Sequence, residues 1–345
     1  MIDPHIHVVI LTHNRVALLN RCIRHVLVTA TTPHTIHVVD NASTDPKVRE
    51  KIEYYTTTFG NVRALLLPTN VGVSARNHAL DKIAEIITET KAVESEDVKN
   101  SVTVTTIKPN NFIAFIDDDV LVNPLWDRAM LSYFADPKVG AVGPGGSFIK
   151  PDWNDFTPQL LNIKATPGIE VDELTGYIWM MRAELLKATR YDTDKFFWFE
   201  EVDLQFPIKQ AGYKIVCCGN VAAHFCNRDP RSTDWTERNR NIDIVRRKWF
   251  CKRKELNLRY IQMGLPDNQE CVIKDRIEHP ELYEKKIQPE TQFQQPVKLP
   301  EPVKQEWGMV APHLRMMREY QEKQEQKVVP ITQGKKRNNK KRKKR

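Results

Sequence analysis

Over the first 120 residues, short β-branched runs alternate with segments of helical spacing. Residues 7–12 (HVVILT) form a continuous apolar run, the pattern of a strand covered on both faces. Residues 15–29 then space Val16, Leu19, Ile23, Val26 and Leu27 along one helical stripe. A second strand is predicted at 35–40, a helix at 48–58 and a third strand at 62–67. Residues 74–88 gather Ala75, Ala79, Leu80, Ile83, Ile86 and Ile87 on one side of a further helix. Strand and helix alternating three times argue for a mainly parallel sheet flanked by helices. Right-handed crossovers put the turns after these strands along one sheet edge, where open α/β sheets bind ligands.

The rhythm breaks twice. Residues 89–110 are charged and poorly periodic, and read as a surface insertion. Residues 280–302 hold five prolines and few large apolar side chains, the composition of an extended connector. One more helix is predicted at 307–327. The expected organisation is a single α/β domain over 1–255, a C-terminal extension over 256–330 and a disordered polybasic tail over 331–345.

Charge sharpens this picture. The chain of 345 residues carries a net +8, yet residues 335–345 alone hold nine positive charges. Residues 228–254 add ten Lys/Arg against four Asp/Glu, so the rest of the chain stands at −7. Concentrated basic segments are candidate contacts for a polyanion. No apolar run reaches the ~18 residues needed to cross a bilayer, and the N-terminus lacks a signal-peptide pattern. Six cysteines show no metal-ligand spacing and read as free thiols, which suits the cytoplasm, or a host's cytoplasm for a viral chain.

The candidate chemistry sits at the ends of the predicted strands. Residues 111–120 (NFIAFIDDDV) read as a buried strand ending in Asp117, Asp118 and Asp119. Three adjacent carboxylates repel one another unless a cation holds them, and hard oxygens suit Mg²⁺ or Mn²⁺ with substrate phosphates completing the shell. The turn after the first strand carries Thr12, Asn14 and Arg15, and the turn after the second opens with Asp40. The turn after the third holds Gly72, Arg76 and Asn77. Each turn alone could cap a helix, through Asn14, Ser43 or Ser74; three on one edge with the aspartates favour ligand binding. Downstream, an aromatic block precedes Glu200, Glu201 and Asp203. Carboxylates beside apolar rings are partly desolvated, which raises their proton affinity toward that of a general base. His224 closes an apolar, strand-like segment about twenty residues later.

These motifs, in this order, resemble a family 2 glycosyltransferase of the A-type, Rossmann-like fold, in its rhamnosyltransferase-like branch. The resemblance runs from His7 to Arg228 through VILTHNR, VVDNASTD, NVGVSARN, FIDDDV, GYIWMMR and FEEVDL to His224. It implies a nucleotide pocket lined by Thr12, Asn14, Arg15 and Asp40, with Arg76 and Asn77 near ribose and phosphate. Asp117 and Asp119 would be the DXD metal motif, with His224 completing the shell. Glu201 would stand where the family places its base, usually an Asp, with Glu200 and Asp203 as alternatives. Gly176 through Met181, including Trp179, would border the sugar and acceptor. Pro207 departs from the family's usual Arg and should kink or delay the helix after the acids.

The implied activity is inverting, metal-dependent transfer of a sugar from a nucleotide diphosphate-sugar, expected to be a UDP-sugar, to an acceptor hydroxyl. The +6 segment interleaves Trp235, Trp249 and Phe250 with Arg and Lys, a composition suited to phosphate contact and base stacking. A hydroxylated base in DNA is therefore one candidate acceptor, beside glycan, glycolipid and protein. Two other classes compete: a catalytically inactive binding protein, and a nucleotidyltransferase. The latter would need a Gly- and Lys-rich phosphate loop that the Thr12–Arg15 turn lacks.

Overall fold

The computed structural model describes residues 3–93, 102–150, 153, 160–161, 168–193, 199–218, 221, 223–225 and 235–262. The chain divides into two units, Met1–Tyr283 and Glu284–Arg345, and every described residue lies in the first. The predicted connector, the helix at 307–327 and the basic tail lie outside the described residues.

The first half runs β1 (His5–Thr12), α1 (Val16–Thr29), β2 (His34–Asp40), α2 (Pro46–Thr58), β3 (Val62–Leu66) and α3 (Arg76–Ile87). A hairpin of β4 (Thr88–Val93) and β5 (Val102–Ile107) follows, then β6 (Asn111–Asp117), β7 (Val120–Val122) and α4 (Trp126–Tyr133). Next come β8 (Val139–Gly143), β9 (Gly145–Ser147), β10 (Leu160–Leu161), β11 (Ile169–Val171), β12 (Glu173–Leu174) and β13 (Ile178–Arg182). The described part closes with α5 (Glu200–Gln210), β14 (Lys214–Cys217), β15 (Ala223–Phe225), α6 (Trp235–Trp249) and α7 (Arg259–Gln262).

Eight strands make the central sheet, in the order β11-β14-β8-β13-β6-β1-β2-β3. β1 pairs in parallel with both β2 and β6, and β2 with β3, as the apolar runs require. β13 enters antiparallel between β6 and β8. That reversal brings the start of β13 to the carboxyl end of β6, where the Asp117 amide donates to the Tyr177 carbonyl at 3.0 Å.

Alternation along the strands separates two cores. Ile6, Val8 and Ile10 of β1 pack with Leu19, Ile23 and Val26 of α1 on one face. Val9, Ile113 and Phe115 pack with Ala79, Leu80 and Ile83 of α3 on the other. A third cluster joins Val202 and Phe206 of α5 to Ile242, Val245 and Trp249 of α6, and reaches Leu256, Leu258 and Tyr260. The segment just after residue 255 therefore packs against the base of the domain's last helices.

Residues 88–93 and 102–107, inside the segment read as a surface insertion, pair antiparallel, Thr88 opposite Ile107, apart from the central sheet. One local expectation changes. Pro207 does not delay α5, which begins at Glu200 and ends three residues past the proline at Gln210. Three carboxylates in the first turn favour the helix N-terminus, and Val202, Leu204, Phe206 and Ile208 bury its faces, offsetting the one lost backbone bond.

Candidate active site

The turns after β1, β2 and β3 are stitched to one another. Asn14 takes a left-handed conformation (φ 55°), and its side-chain oxygen accepts the amides of Thr44 and Asp45 at 2.8 and 3.0 Å. Its own amide donates to Ser43 Oγ at 2.9 Å. Asn41 ties the second turn to the third: its Nδ2 donates to Asn70 Oδ1 and the Gly72 carbonyl, and its Oδ1 accepts the Val71 amide. Gly72 needs no side chain there because its φ is +64°. Asp40 is buried and accepts the Ser43 amide at 3.0 Å, closing its own turn. Asn14, which is exposed, and the buried Asp40 thus build the rim of the edge.

On this frame the three aspartates meet two arginines. Arg15 donates to Asp118 at 2.6 Å and to Asp119 at 2.9 Å. Thr12 Oγ1 donates to the other Asp118 oxygen at 2.7 Å. Burial lifts the Asp118 carboxyl to about 6 against the pull of Arg15 and Thr12. Arg76 donates to Asp117 at 2.5 Å and lies over the Tyr191 ring, 5.5 Å from its centroid. Burial opposes the Arg76 charge, yet Tyr191, Asp117 and Glu200 together hold its proton affinity above the ordinary value. Asn77 clasps the backbone of Tyr191, donating to its carbonyl at 2.8 Å and accepting its amide at 2.9 Å. Trp179 is fully buried and stacks on Phe115 at 4.6 Å, and Phe115 meets Tyr191 edge-on. Asn77 and Trp179 therefore support Tyr191 and Arg76 from behind.

Glu200 and Glu201 open α5, after Phe199 in a left-handed conformation. Burial raises the proton affinity of Glu200, and Glu200 hydrogen-bonds Glu201. Burial, then Glu200 and Glu173, push Glu201 well above the ordinary carboxyl value. Gly176 faces it: a Cβ there would lie 3.4 Å from Glu201 Cδ, in ordinary contact and over the carboxyl. Asp203 turns elsewhere. It is buried and accepts from Lys248 Nζ at 2.9 Å and the Trp249 indole at 2.5 Å, joining α5 to α6.

His224 is exposed on β15, opposite Leu121 of β7, two positions beyond Asp119. Among the described residues no three His, Cys, Asp or Glu side chains are gathered as a ready cation site. The donor chemistry nonetheless fits a hard cation: the Asp117 side chain is 37% exposed and that of Asp119 13%, both at the sheet edge.

Residues that sequence reasoning missed include Tyr191, Asn41 and Glu173, all defined by long-range contacts. The stacking role expected of Trp249 does not hold, because its indole lies in the third core cluster. Phe250 is half-buried, with the Arg253 guanidinium 3.9 Å from its centroid. Trp235's side chain lies outside the described residues.

The sequence profile described as glycosyltransferase-like family 2 matches residues 4–250. The chain belongs to that family. Among curated proteins, none matches the sequence. GalNAc-T7, solved with UDP, GalNAc and Mn²⁺, is 15% identical with a TM-score of 0.51, over 81% of this chain and 55% of that one. The mannosyltransferase PcManGT from Pyrobaculum calidifontis, solved with GDP-Man and Mn²⁺, is 16% identical with a TM-score of 0.47, over 68% and 60%. S. aureus TarS 1–349 is 18% identical with a TM-score of 0.49, over 81% and 75%. The chain thus spans less than two thirds of PcManGT and of GalNAc-T7. The GalNAc-T7 likeness is one of fold, and the mixed sheet flanked by helices is that of A-type glycosyltransferases. Among the described residues no helix is long and apolar enough to cross a membrane.

Proposed function

We propose that this family 2 member transfers a sugar from a nucleotide diphosphate-sugar, a UDP-sugar as the leading choice, to an acceptor hydroxyl with inversion. One observation carries the reading: Arg76 bonds Asp117 at the end of β6 and acts electrostatically on Glu200 at the start of α5. The aspartate edge and the acidic helix start therefore belong to one charged site. Arg15 and Arg76, already on the aspartates, are the cations available to the diphosphate, and guanidinium forks suit phosphate oxygens. Glu201 is the base, with Glu200 as its proton-sharing neighbour. It takes the acceptor proton as that oxygen bonds to the anomeric carbon, and the nucleotide diphosphate leaves with the bonding electrons. One displacement inverts the centre, and no covalent sugar–enzyme intermediate is needed.

Asp117 and Asp119 would hold Mn²⁺ or Mg²⁺, with His224 nearby on β15. Such an ion, when bound, neutralises charge developing on the leaving diphosphate. The Mn²⁺ in the GalNAc-T7 structure supports a divalent cation in this fold.

The acceptor side of the proposal is polyanionic, with a hydroxylated DNA base as one candidate. What supports it is the exposed row Arg240, Arg247, Lys248, Lys252 and Lys254 on and after α6, tied to the base-bearing helix through Lys248 and Asp203. With Trp249 buried, this surface offers phosphate contact rather than base stacking.

The test is UDP release from UDP-glucose, UDP-galactose and UDP-N-acetylglucosamine with Mn²⁺, with excess chelator, and in Asp119→Ala. The expected result is release that chelator and Asp119→Ala abolish while the fold persists. Full release in excess chelator would rule out the cation's role.

A further inference from the structure

One stripe of α5 grips the segment before Gly176. Glu201, Gln205 and Lys209 stand four residues apart and so share a helix face. Gln205 clamps Leu174 twice, accepting its amide at 2.7 Å and donating to its carbonyl at 3.1 Å. Lys209 donates to the Val171 carbonyl at 3.3 Å and pairs with Asp172 at 3.7 Å. Between these anchors, Glu173 is buried directly across the strand pair from Ser147, and the two side chains are hydrogen-bonded. Gly146 permits this pairing, since a Cβ there would come within 2.6 Å of the Glu173 carbonyl. This buried carboxyl acts electrostatically on Glu201, the remaining member of the stripe.

We propose, resting on the assignment of Glu201 as base, that Glu173 is its positioning residue: a buried carboxyl, paired with Ser147, whose charge state governs whether Glu201 can be ionised. The groups facing Glu173 are the Ser147 hydroxyl on β9 and Glu201 on α5, with Asp172, Tyr177 and Cys217 around it. The nearby cation, Lys209, is paired with Asp172. Burial lifts Glu173 to about 7, and a charged Glu173 opposes ionisation of the base.

Glu173→Gln keeps an acceptor and removes the charge. Its acid limb of UDP release from the three UDP-sugars should move to lower pH by about 1 unit, roughly 10-fold in rate on that limb. A second readout needs no donor. A carboxyl whose folded-state proton affinity is raised stabilises the fold at low pH, and that stability is lost as pH rises through the folded value. Thermal midpoints at pH 5 and pH 8 for wild type, Glu173→Gln, Glu201→Gln and the double variant form a cycle. Coupled carboxyls give a double-variant change in the pH 5–8 loss smaller than the sum of the single ones. Additive changes, or a Glu173→Gln midpoint lowered equally at both pH values with an unmoved acid limb, would overturn the proposal and leave Glu173 merely structural. Should Glu173→Gln fail to fold, Ser147→Ala serves, since losing the hydroxyl makes Glu173 keep its proton longer and shifts the limb the same way by less. Normal UDP release by Glu201→Gln would instead sink the base assignment, and the midpoint cycle would still decide the coupling.

Discussion

Asp203 distinguishes an anchor from a base. Its carboxylate is buried between α5 and α6, where it accepts from the Trp249 indole and from Lys248. Asp203→Ala deletes both bonds. The Lys248 side chain is 45% exposed, so its ion pair is solvent-screened and contributes at most about 1 kcal/mol. The indole is the larger loss: it stays buried without its acceptor, which costs about 1–3 kcal/mol. A total near 3 kcal/mol should lower the thermal midpoint by roughly 6–10 °C in a domain of this size. Asp203→Asn keeps an acceptor for the indole and should cost only about 1 kcal/mol. Differential scanning of both variants, beside UDP release at a temperature where each is folded, separates the roles. Asp203→Ala should lose much stability, whereas Asp203→Asn should keep near-normal turnover. An unchanged midpoint in Asp203→Ala, or a folded but inactive Asp203→Asn, would refute this reasoning.

Three further outcomes follow from the same structure. His7 and His37 are buried and joined at 3.1 Å; burial foremost holds them down at about 3 and about 4, so stability present above pH 6.5 falls as pH drops, by roughly 2 kcal/mol per imidazole at pH 5. Urea unfolding of wild type and His7→Gln/His37→Gln at pH 7.5 and pH 5 checks this, and equal pH dependence in both would contradict it. DNA binding should weaken steeply with salt, and deleting residues 335–345 should lower DNA affinity without changing UDP release. Absence of binding at low salt would leave a glycan, lipid or protein as acceptor.

Much of the sheet was legible because its strands announce themselves. The runs at 7–12, 35–40, 62–67 and 111–117 differ from β1, β2, β3 and β6 by at most two residues at their ends. Apolar content fixed those segments irrespective of partners. The hairpin of β4 and β5 was not legible, since its threonines and charges give no apolar face, and its pairing is with itself. An aromatic residue misled for a related reason: composition places Trp249 near a ligand, whereas packing puts it in the core. At the site, the acids and arginines were visible as residue types, but which carboxylate meets which cation was not. Asp203 follows Glu201 by two positions and so points to another side of α5, toward Lys248. Tyr191 and Glu173 carry no motif at all, and their roles come from contacts with Asn77 and Ser147.

The most direct test of the account is UDP release by Glu201→Gln, read beside UDP affinity. Burial, then Glu200 and Glu173, raise the proton affinity of Glu201, the proposed base, whereas the aspartates at the β6 edge are bonded to Arg15 and Arg76. Turnover should fall by roughly 10²-fold or more, the usual scale for removing a general base, while UDP binds within about twofold of wild type. Near-normal turnover in Glu201→Gln, with Glu200→Gln inactive instead, would contradict the assignment and move the base to its neighbour.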